Sequence, residues 1–466
     1  MHVRYKALGA ARSVTGSRHY FEIGGFNLLL DCGLFQGFKE SRIRNWEAFP
    51  VNVNDIHAVV ISHAHIDHSG YLPRLVKEGY SGPIFCTKVT ERLLRIMLLD
   101  SAKLHEEEAE WAFKKGYSRH SKPLPLYTVK DAEMVFPLLN PVEFDDEISL
   151  NPRVSVRFLN AGHILGAAIT EIVVKGETQE KKIVFSGDLG RQDDPLLFPP
   201  SVVKQADILL IESTYGDRGN ILPNVEQVFS EIVNRTTDSG GCVLIPAFSV
   251  GRTQNILFYL KNMMESKKIP MLPVYIDSPM AISVTDLYKS FWHLQKLDSQ
   301  EWGTGKSVFD FRQFIYVREQ SQSAVINEIQ KNAIIISASG MCTGGRILHH
   351  LFHRLPNEND TLILVGYQAE GTRGRRLEEG EKSISIFGQS VDVKCNVEML
   401  TGLSAHADYD ELMGWIGNLE GSPKMTFVVH GEAKASLHLA EQIKERFAWN
   451  TAVPRYLESF ELFNGI

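Results

Sequence analysis

Long apolar runs, paired cysteines and an excess of positive charge are all missing from this sequence of 466 residues. No stretch of 18 or more apolar residues is present, and the opening MHVRYKALGAARSV lacks the apolar segment of a signal peptide. The five cysteines are scattered without a CxxC pair, which argues against a disulfide framework and fits a reducing compartment. We therefore expect a cytoplasmic protein with no membrane partner.

The formal net charge of −7 disfavours a protein that coats nucleic acid nonspecifically. It leaves a nuclease open, because bound metal cations and a local basic groove can attract phosphate despite the overall sign. The hydrophobic content of 44% supports a large core. Since single cores stop growing at about 250–300 residues, the length predicts more than one domain.

Short apolar runs that end abruptly at a polar residue recur along the chain, and such runs are typical of buried strands. The polar residues at their ends include Asp31, His63, Asp188, Glu212 and His430. Further runs are CVLIPAFS, PVYIDS, AIIISASG and TLILVGY. Helices are predicted between the strands at about 70–78, 88–113, 224–236, 251–267, 408–419 and 432–447. This alternation indicates an α/β chain, in which ligands bind beyond the carboxyl ends of strands.

The densest candidate site is ISHAHIDHSG, which places His63, His65, Asp67 and His68 within six residues. Imidazole nitrogen and carboxylate oxygen are the ligands that Zn²⁺ accepts. Residues 63 and 65 alternate in an extended loop and can face one ion, while Asp67 and His68 can reach a second ion beside it. Four candidate ligands in six positions favour a metal site over a polar loop with incidental histidines.

The HxHxDH pattern resembles the metallo-β-lactamase superfamily, whose other motifs follow in order. They are Asp31 in LLLDCG, His163 in NAGHILGAA and Asp188 in FSGDLG. The resemblance implies that His63, His65 and His163 hold one zinc ion, that Asp67 and His68 hold another, and that Asp188 bridges the two. It also implies that Asp31 orients the histidine loop from behind.

Three further motifs narrow the resemblance to the β-CASP nucleases of that superfamily: Glu212 in LLIESTYGDR, His406 in GLSAHAD and His430 in FVVHGE. The implied fold is an αββα sandwich with an inserted α/β β-CASP domain. The domains are then 1–216, 217–395 and 396–466, the first and last forming the metallo-β-lactamase domain. By the same resemblance His430 completes the second ligand set and favours RNA over DNA. The expected cofactor is two Zn²⁺ per chain.

The inserted segment contains candidates for phosphate or RNA binding. The glycine-rich SASGMCTGGRI can present backbone N–H groups and the hydroxyls of Ser337 and Ser339 near Gly340. An ordinary strand–turn–helix with glycines for geometry explains the same pattern equally well. Arginines that can line an RNA groove are Arg252, Arg346 and Arg375, although a solvated surface role is the simpler interpretation of any one of them.

The resulting hypothesis is a ribonuclease that acts on single-stranded RNA and leaves 5′-phosphate and 3′-hydroxyl ends. His406, oriented by Glu212, would protonate the leaving 3′ oxygen, while Asp67 and Asp188 serve the same chemistry as ligands. Endonucleolytic cleavage is the expected main mode, with 5′ exonuclease action open. The alternatives are a thioesterase or lactonase, a non-catalytic scaffold subunit and a DNA nuclease. A homodimer is also open, and residues 100–127 are predicted to form a lid or surface arm.

Overall fold

Strands and helices alternate through the residues that the computed structural model describes, which are 1–115, 123–177, 179–219, 224–297 and 307–465. The strands are β1 (His2–Ala7), β2 (His19–Ile23), β3 (Phe26–Leu30), β4 (Ala58–Val60), β5 (Ile84–Thr87), β6 (Leu139–Val142), β7 (Glu147–Asn151), β8 (Val154–Asn160), β9 (Ala168–Lys175), β10 (Glu180–Phe185), β11 (Ile208–Ile211), β12 (Val243–Pro246), β13 (Val274–Ile276), β14 (Phe314–Tyr316), β15 (Ile334–Ser337), β16 (Thr361–Val365), β17 (Ser383–Ile386), β18 (Gln389–Asp392), β19 (Asn396–Leu400), β20 (Met425–Val428), β21 (Thr451–Ala452) and β22 (Ser459–Asn464).

The α-helices are α1 (Lys39–Ile43), α2 (Ile66–Ser69), α3 (Leu72–Lys77), α4 (Lys88–Lys115), α5 (Val129–Glu133), α6 (Val225–Asp238), α7 (Arg252–Glu265), α8 (Pro279–Ser290), α9 (Gln320–Ile326), α10 (Ile347–Arg354), α11 (Arg373–Glu378), α12 (Tyr409–Ile416) and α13 (Ala433–Phe447). The six helices predicted from the sequence correspond to α3, α4, α6, α7, α12 and α13, with ends within three residues of the prediction. Every apolar run named above as a strand is also a strand.

The described chain divides into two compact units. Unit 1 comprises Met1–Asp194, Phe198–Gly219 and His406–Ile466, and unit 2 comprises Pro195–Leu197 and Asn220–Ala405. The predicted domain limits at 216/217 and 395/396 stay a prediction. Strand β19, which follows the second of these limits, pairs with β16 in the sheet of unit 2.

Unit 1 contains two mixed sheets, each of seven strands among the described residues. Their orders are β22-β1-β2-β3-β4-β5-β6 and β21-β20-β11-β10-β9-β8-β7. Strand β1 shows why one face is buried: Val3, Tyr5 and Ala7 alternate with outward-facing polar residues. Inward residues of both sheets, such as Tyr5 and Phe185, belong to one apolar cluster. Helix α4 packs on β5 and β6, while α13 packs on β20 and β21. The result is the expected αββα sandwich.

Unit 2 is built on a parallel sheet with the order β14-β13-β15-β12-β16-β19, next to the small hairpin of β17 and β18. Its central strands β12, β15 and β16 are buried at every position. This is why their sequences read as continuous apolar runs rather than as an alternation. The mixed α/β character predicted for the inserted segment is therefore present in unit 2.

No helix in the described ranges is both long enough and apolar enough to cross a membrane. The charged part of the predicted arm at 100–127 belongs to α4, whose Trp111 and Phe113 are exposed. Residues 116–122 lie outside the described residues. The proposed role of this segment as a lid or surface arm stays a prediction.

Candidate metal centre

Six strand ends bring polar side chains to one edge of unit 1. In one sheet β3 and β4 run parallel and end just before Asp31 and His63. In the other sheet β10, β11 and β20 run parallel, and β8 runs with them because it is antiparallel to β9. The residues that follow these strands are His163 after β8, Asp188 after β10, Glu212 after β11 and His430 after β20.

The backbone at this edge is held in conformations that most residues avoid. Asp31 has a φ of 60° and His430 a φ of 49°, both in the left-handed region. Such strain persists only where the surroundings fix the chain. Here the amide of Asp31 donates to the Val60 carbonyl oxygen at 2.8 Å, and that of His430 donates to Ala10 at 2.8 Å. These strand-end loops are therefore rigid supports for the side chains they carry.

Glycine is required directly before Asp188. Gly187 has a φ of 55°, and a Cβ at this position would lie 2.7 Å from the Ala168 carbonyl oxygen. Any other residue would combine left-handed strain with a steric clash. The glycine of the FSGD motif thus allows the chain to turn between β10 and the carboxylate at the centre of the site.

The first group of donors consists of His63, His65, His163 and Asp188, all of which lie close enough to share one ion. His65 Nδ1 lies 3.1 Å from both His63 Nε2 and His163 Nε2. Asp188 Oδ2 lies 3.5 Å from His63 Nε2 and 3.6 Å from His163 Nε2. Donor atoms around a tetrahedral zinc, with Zn–N of about 2.0–2.1 Å, are about 3.3 Å apart. The spacing of this group fits that requirement.

The second group consists of Asp67, His68 and His430, again within reach of one ion. His68 Nε2 lies 3.0 Å from His430 Nε2, and His430 Nε2 lies 3.4 Å from Asp67 Oδ2. Asp188 Oδ1 joins this group at 3.3 Å from His68 Nε2. His68 Nδ1 is 2.7 Å from the Asp31 carboxylate and donates to it, which leaves Nε2 as the atom that can face an ion. Burial alone would lower the pKa of His68, but Asp188, Asp31 and Asp67 raise it well above its ordinary value, so binding of an ion at Nε2 would release a proton. Two facing imidazole nitrogens at 3.0 Å favour a cation beside them.

Asp188 connects the two groups because its oxygens face different ways, Oδ2 towards the first and Oδ1 towards the second. Asp188 Oδ1 is buried and makes no hydrogen bond of good geometry with any described residue. This buried oxygen lies 3.3 Å from His68 Nε2 without a hydrogen bond of good geometry, and a metal ion beside both atoms would satisfy them. The donor set therefore fits a pair of metal ions that share one carboxylate.

The electrostatics of the cluster also favour cations. Burial lowers the pKa of His65 to about 4 and that of His63 well below its ordinary value, so both are neutral donors at neutral pH. Burial alone would raise the pKa of Asp188, but neighbouring histidines, His430 and His68 foremost, outweigh it and lower that pKa, so the carboxylate is ionised. His63, His65 and Asp188 are therefore in the protonation states that metal binding requires, whereas His68, whose pKa is raised, would have to release a proton.

His406 and Glu212 form a pair beside the two donor groups. His406 Nδ1 lies 3.2 Å from Glu212 Oε2 and 3.3 Å from Oε1. Glu212 is fully buried and also accepts the amide of Leu189 at 2.6 Å, which fixes its carboxylate. Burial alone would lower the pKa of His406, but Glu212, Asp188 and Asp67 raise it above its ordinary value. The pair therefore holds a proton next to the cluster.

A different assignment of these residues is also within reach, since Asp188, Glu212 and His430 offer oxygens and a nitrogen close enough for one ion. Glu212, however, already accepts hydrogen bonds from the Leu189 amide and from His406. Using Glu212 as a ligand would break the pair that orients His406. The two groups that share Asp188 account for the donors without that loss.

Asp31 lies behind His68, as the sequence motif implied, and the structure adds two serines that the sequence analysis missed. Its Oδ1 accepts the amide of Ser62 at 2.8 Å, and its Oδ2 accepts the hydroxyls of Ser62 and Ser17, both at 3.0 Å. Ser62 directly precedes His63, so its position was a usable signal. Ser17 lies on a separate segment, and the sequence contained no signal for it.

The RNA-binding candidates all belong to unit 2, where most of their polar groups have local partners. Ser337 Oγ donates to the Asp277 carbonyl oxygen at 2.9 Å, and Ser339 Oγ lies 2.9 Å from the Thr343 hydroxyl. A Cβ at Gly340 would lie 2.8 Å from the Phe248 ring, which explains the glycine by packing. The proposed phosphate role of this loop stays a prediction.

The arginine candidates differ from one another. The Arg346 guanidinium is hydrogen-bonded within unit 2: it donates to the Asp277 carboxylate at 2.7 Å and to the Arg318 carbonyl oxygen at 2.7 Å. Arg375 pairs with Glu379 at 3.0 Å, and Arg252 is buried at the start of α7. Asp277, which the sequence analysis passed over, is fully buried and also accepts from His350 at 2.7 Å.

Three regions of the chain match described domain families. Residues 20–210 match a metallo-beta-lactamase superfamily domain, residues 253–377 a Beta-Casp domain, and residues 390–454 a Zn-dependent metallo-hydrolase RNA specificity domain. The first match contains His63 to Asp188, and the third contains His406 and His430. The predicted ligands thus fall within regions of two families that are described as metallo-hydrolases or metallo-β-lactamase domains.

Similar proteins extend over nearly the whole chain. Ribonuclease TTHA0252 of Thermus thermophilus is 37% identical over 95% of this chain and 96% of its own length. Transcription termination factor FttA of Methanocaldococcus jannaschii is 31% identical over 99% of this chain and 72% of its own length. A crystal structure of a protein of unknown function from Enterococcus faecalis covers 99% of this chain with a TM-score of 0.54 and 14% identity, a similarity of fold alone.

Proposed function

This chain belongs to the β-CASP ribonuclease family of the metallo-β-lactamase superfamily, and we propose that it is a zinc-dependent ribonuclease that hydrolyses phosphodiester bonds of single-stranded RNA. The observation that carries this proposal is the pair of donor groups that share Asp188, with His406 and Glu212 beside them. A two-metal centre next to a proton donor is suited to displacing an alkoxide from phosphorus.

In the proposed site His63, His65, His163 and Asp188 would hold one zinc ion, while Asp67, His68, His430 and the other oxygen of Asp188 would hold the second. When bound, the two ions supply Lewis acidity that activates water and neutralises charge on the phosphate. Asp31 keeps the proton of His68 on Nδ1 and so keeps Nε2 available as a donor atom.

His406 acts as the general acid in this proposal. Its Nδ1 is held by Glu212, so the proton to be transferred sits at Nε2 on the opposite side of the ring. The leaving 3′ oxygen is a strong base, and its protonation by a placed acid typically accelerates cleavage by about 10²–10⁴-fold. The products are a 5′-phosphate and a 3′-hydroxyl. The ribose 2′-hydroxyl takes no part, so a preference for RNA must come from binding.

RNA is proposed as the substrate because the region that contains His406 and His430 matches an RNA specificity domain and because a relative over the whole length is named a ribonuclease. Endonucleolytic cleavage remains the expected main mode. A homodimer remains a prediction. A thioesterase or lactonase would have no use for the His406–Glu212 pair, and a scaffold subunit would not need the complete donor set.

The test measures zinc per chain and the cleavage of matched single-stranded RNA and DNA, for the wild type, His65→Ala and the control His353→Ala. His353 is an exposed histidine of unit 2 outside both donor groups. We expect about two zinc ions and RNA cleavage in the wild type and the control, and loss of metal and cleavage in His65→Ala. Metal and cleavage that both persist in His65→Ala would refute the proposal, and cleavage of DNA alone would refute the substrate.

A further inference from the structure

Three buried polar side chains at the start of the chain have no role in the proposed reaction. Tyr5 on β1, Ser17 in the loop before β2 and His19 on β2 are each fully buried. The rings of Tyr5 and His19 are packed against aromatic side chains. The ring centroids of Tyr5 and Phe21 are 5.2 Å apart, and those of His19 and Phe185 are 5.1 Å apart. Burying a phenol, an imidazole and a hydroxyl in an apolar core is costly unless each is hydrogen-bonded.

The three side chains form a line that ends at Asp31. Tyr5 Oη lies 2.9 Å from His19 Nδ1, and His19 Nε2 lies 3.4 Å from Ser17 Oγ. Ser17 Oγ donates to Asp31 Oδ2 at 3.0 Å, and the same oxygen accepts from His68 Nδ1 at 2.7 Å. A continuous series of polar contacts therefore connects the core between the two sheets to a ligand of the second donor group.

The direction of each hydrogen bond follows from its acceptor. An ionised carboxylate only accepts, so Ser17 must give its single proton to Asp31. Ser17 Oγ is then an acceptor towards His19, which must carry its proton on Nε2. The remaining nitrogen, His19 Nδ1, accepts from the hydroxyl of Tyr5. Burial lowers the pKa of His19 to about 3, which agrees with a neutral ring that has one donor and one acceptor.

We propose that Tyr5, His19 and Ser17 are positioning residues of the metal centre: a directed hydrogen-bond chain that fixes the Asp31 carboxylate and, through it, the His68 imidazole. The inference rests on the proposed function, because it assumes that His68 binds zinc. Every donor in the chain points towards Asp31, so each bond polarises the next in the same sense.

The need for such a chain follows from the position of Asp31. Its backbone is strained at a φ of 60°, and four donated hydrogen bonds hold its carboxylate in place. Two of them come from Ser62, next to His63, and one comes from His68, so these three donors belong to the same segment as the candidate ligands. Ser17 is the partner of Asp31 that belongs to a different segment, and His19 and Tyr5 connect that partner to the core.

The experiment measures zinc affinity of the full-length chain by competition with a chromogenic chelator, which separates two binding steps. His430→Ala removes a ligand of the second group and so identifies the step that belongs to it. The test variants are Ser17→Ala, His19→Phe, their double variant and Tyr5→Phe, which keeps the packed ring and removes only the hydroxyl. The control is Thr170→Val, which removes a buried hydroxyl of unit 1 that takes no part in the hydrogen-bond series from Tyr5 to Asp31. Thermal unfolding of the metal-free forms checks folding.

Removing a partner behind a metal ligand typically weakens metal binding by about 10–100-fold. We expect Ser17→Ala and His19→Phe to weaken the step of the second group by about tenfold, with a smaller loss in Tyr5→Phe and none in Thr170→Val. The double variant should lose no more zinc affinity than Ser17→Ala alone, because Ser17→Ala already interrupts the hydrogen-bond series between His19 and Asp31.

Affinities within twofold of the wild type in Ser17→Ala and Tyr5→Phe would overturn the inference, as would a double variant whose loss equals the product of the two single losses. A metal-free unfolding temperature lowered in proportion to the lost affinity would make the role structural only, and would also overturn it. A wild-type chain that binds no zinc would instead refute the proposed function.

Discussion

Replacing His406 by alanine tests whether this residue acts as a general acid or as a metal ligand. If His406 protonates the leaving oxygen, its loss should reduce the rate of RNA cleavage by about 10²–10⁴-fold, which corresponds to about 3–5 kcal/mol in the activation free energy. Both zinc ions should remain, because each donor group is complete without His406. Glu212→Gln should cause a smaller loss, since the amide still occupies the site but no longer favours a protonated His406.

The assay compares two substrates that differ in their need for an acid. Cleavage of single-stranded RNA expels the 3′ oxygen, a strongly basic leaving group that needs a proton. Cleavage of bis(p-nitrophenyl) phosphate releases a weakly basic phenolate that needs none. We expect His406→Ala to be strongly impaired on RNA and close to the wild type on the nitrophenyl ester. The exposed His353→Ala serves as the control on both substrates.

Two results would contradict this reasoning. An equal loss on both substrates would mean that His406 does not act on the leaving group. Loss of a zinc ion in His406→Ala would make His406 a ligand, and the set Asp188, Glu212 and His430 would then have to be reconsidered as a metal site.

Three further changes test the stability of the fold around the sites. Arg18→Met should lower the free energy of unfolding by about 1–3 kcal/mol in urea denaturation, because it leaves the buried carbonyl oxygen of Gly33 without its donor; an unchanged midpoint would contradict this. Asp277→Asn should cost about 3–5 kcal/mol at neutral pH by breaking a buried pair with Arg346 and His350. Burial alone would raise the pKa of Asp277, but His350, Ser323 and Arg346 lower it, so its stabilisation is present above about pH 4 and is lost as pH falls through the lowered value; a cost that persists in acid would refute this. Removing zinc with a chelator should lower the unfolding temperature, by an amount equivalent to about 2.7 kcal/mol where free zinc was 100-fold above its dissociation constant; no shift would argue against a folded-state metal site.

Some of the candidate ligands, such as His63 and Asp188, follow strands that could be located from their buried apolar pattern alone, whereas Asp67 and His68 lie on the short helix α2; the ligand roles themselves stay a prediction. The apolar run before His63 and the one before Asp188 are short and continuous, so the strands and their ends could be located without a structure. Parallel strands in one sheet place their ends together, which explains why Asp188, Glu212 and His430 lie close to one another, while the ligand set is what the resemblance implies.

What the sequence did not predict depends on contacts between distant segments. Ser17 reaches Asp31 only because β2 and β3 are paired, and Arg346 reaches Asp277 only because α10 follows the end of β15 beside β13. The charge of Arg346 suggested phosphate binding, yet its guanidinium is bonded within unit 2. A polar residue in a sequence carries no sign of whether its partner is a ligand or a neighbour.

If this chain hydrolyses RNA at a metal centre, the chemical nature of the ends of the RNA products shows it most directly. A uniform single-stranded RNA is incubated with the zinc-loaded chain, and the new ends are identified by mass spectrometry, with a chelator-treated sample as the control. We expect 5′-phosphate and 3′-hydroxyl ends that form only with zinc. Products with 2′,3′-cyclic phosphate, or cleavage that persists after removal of the metal, would contradict it.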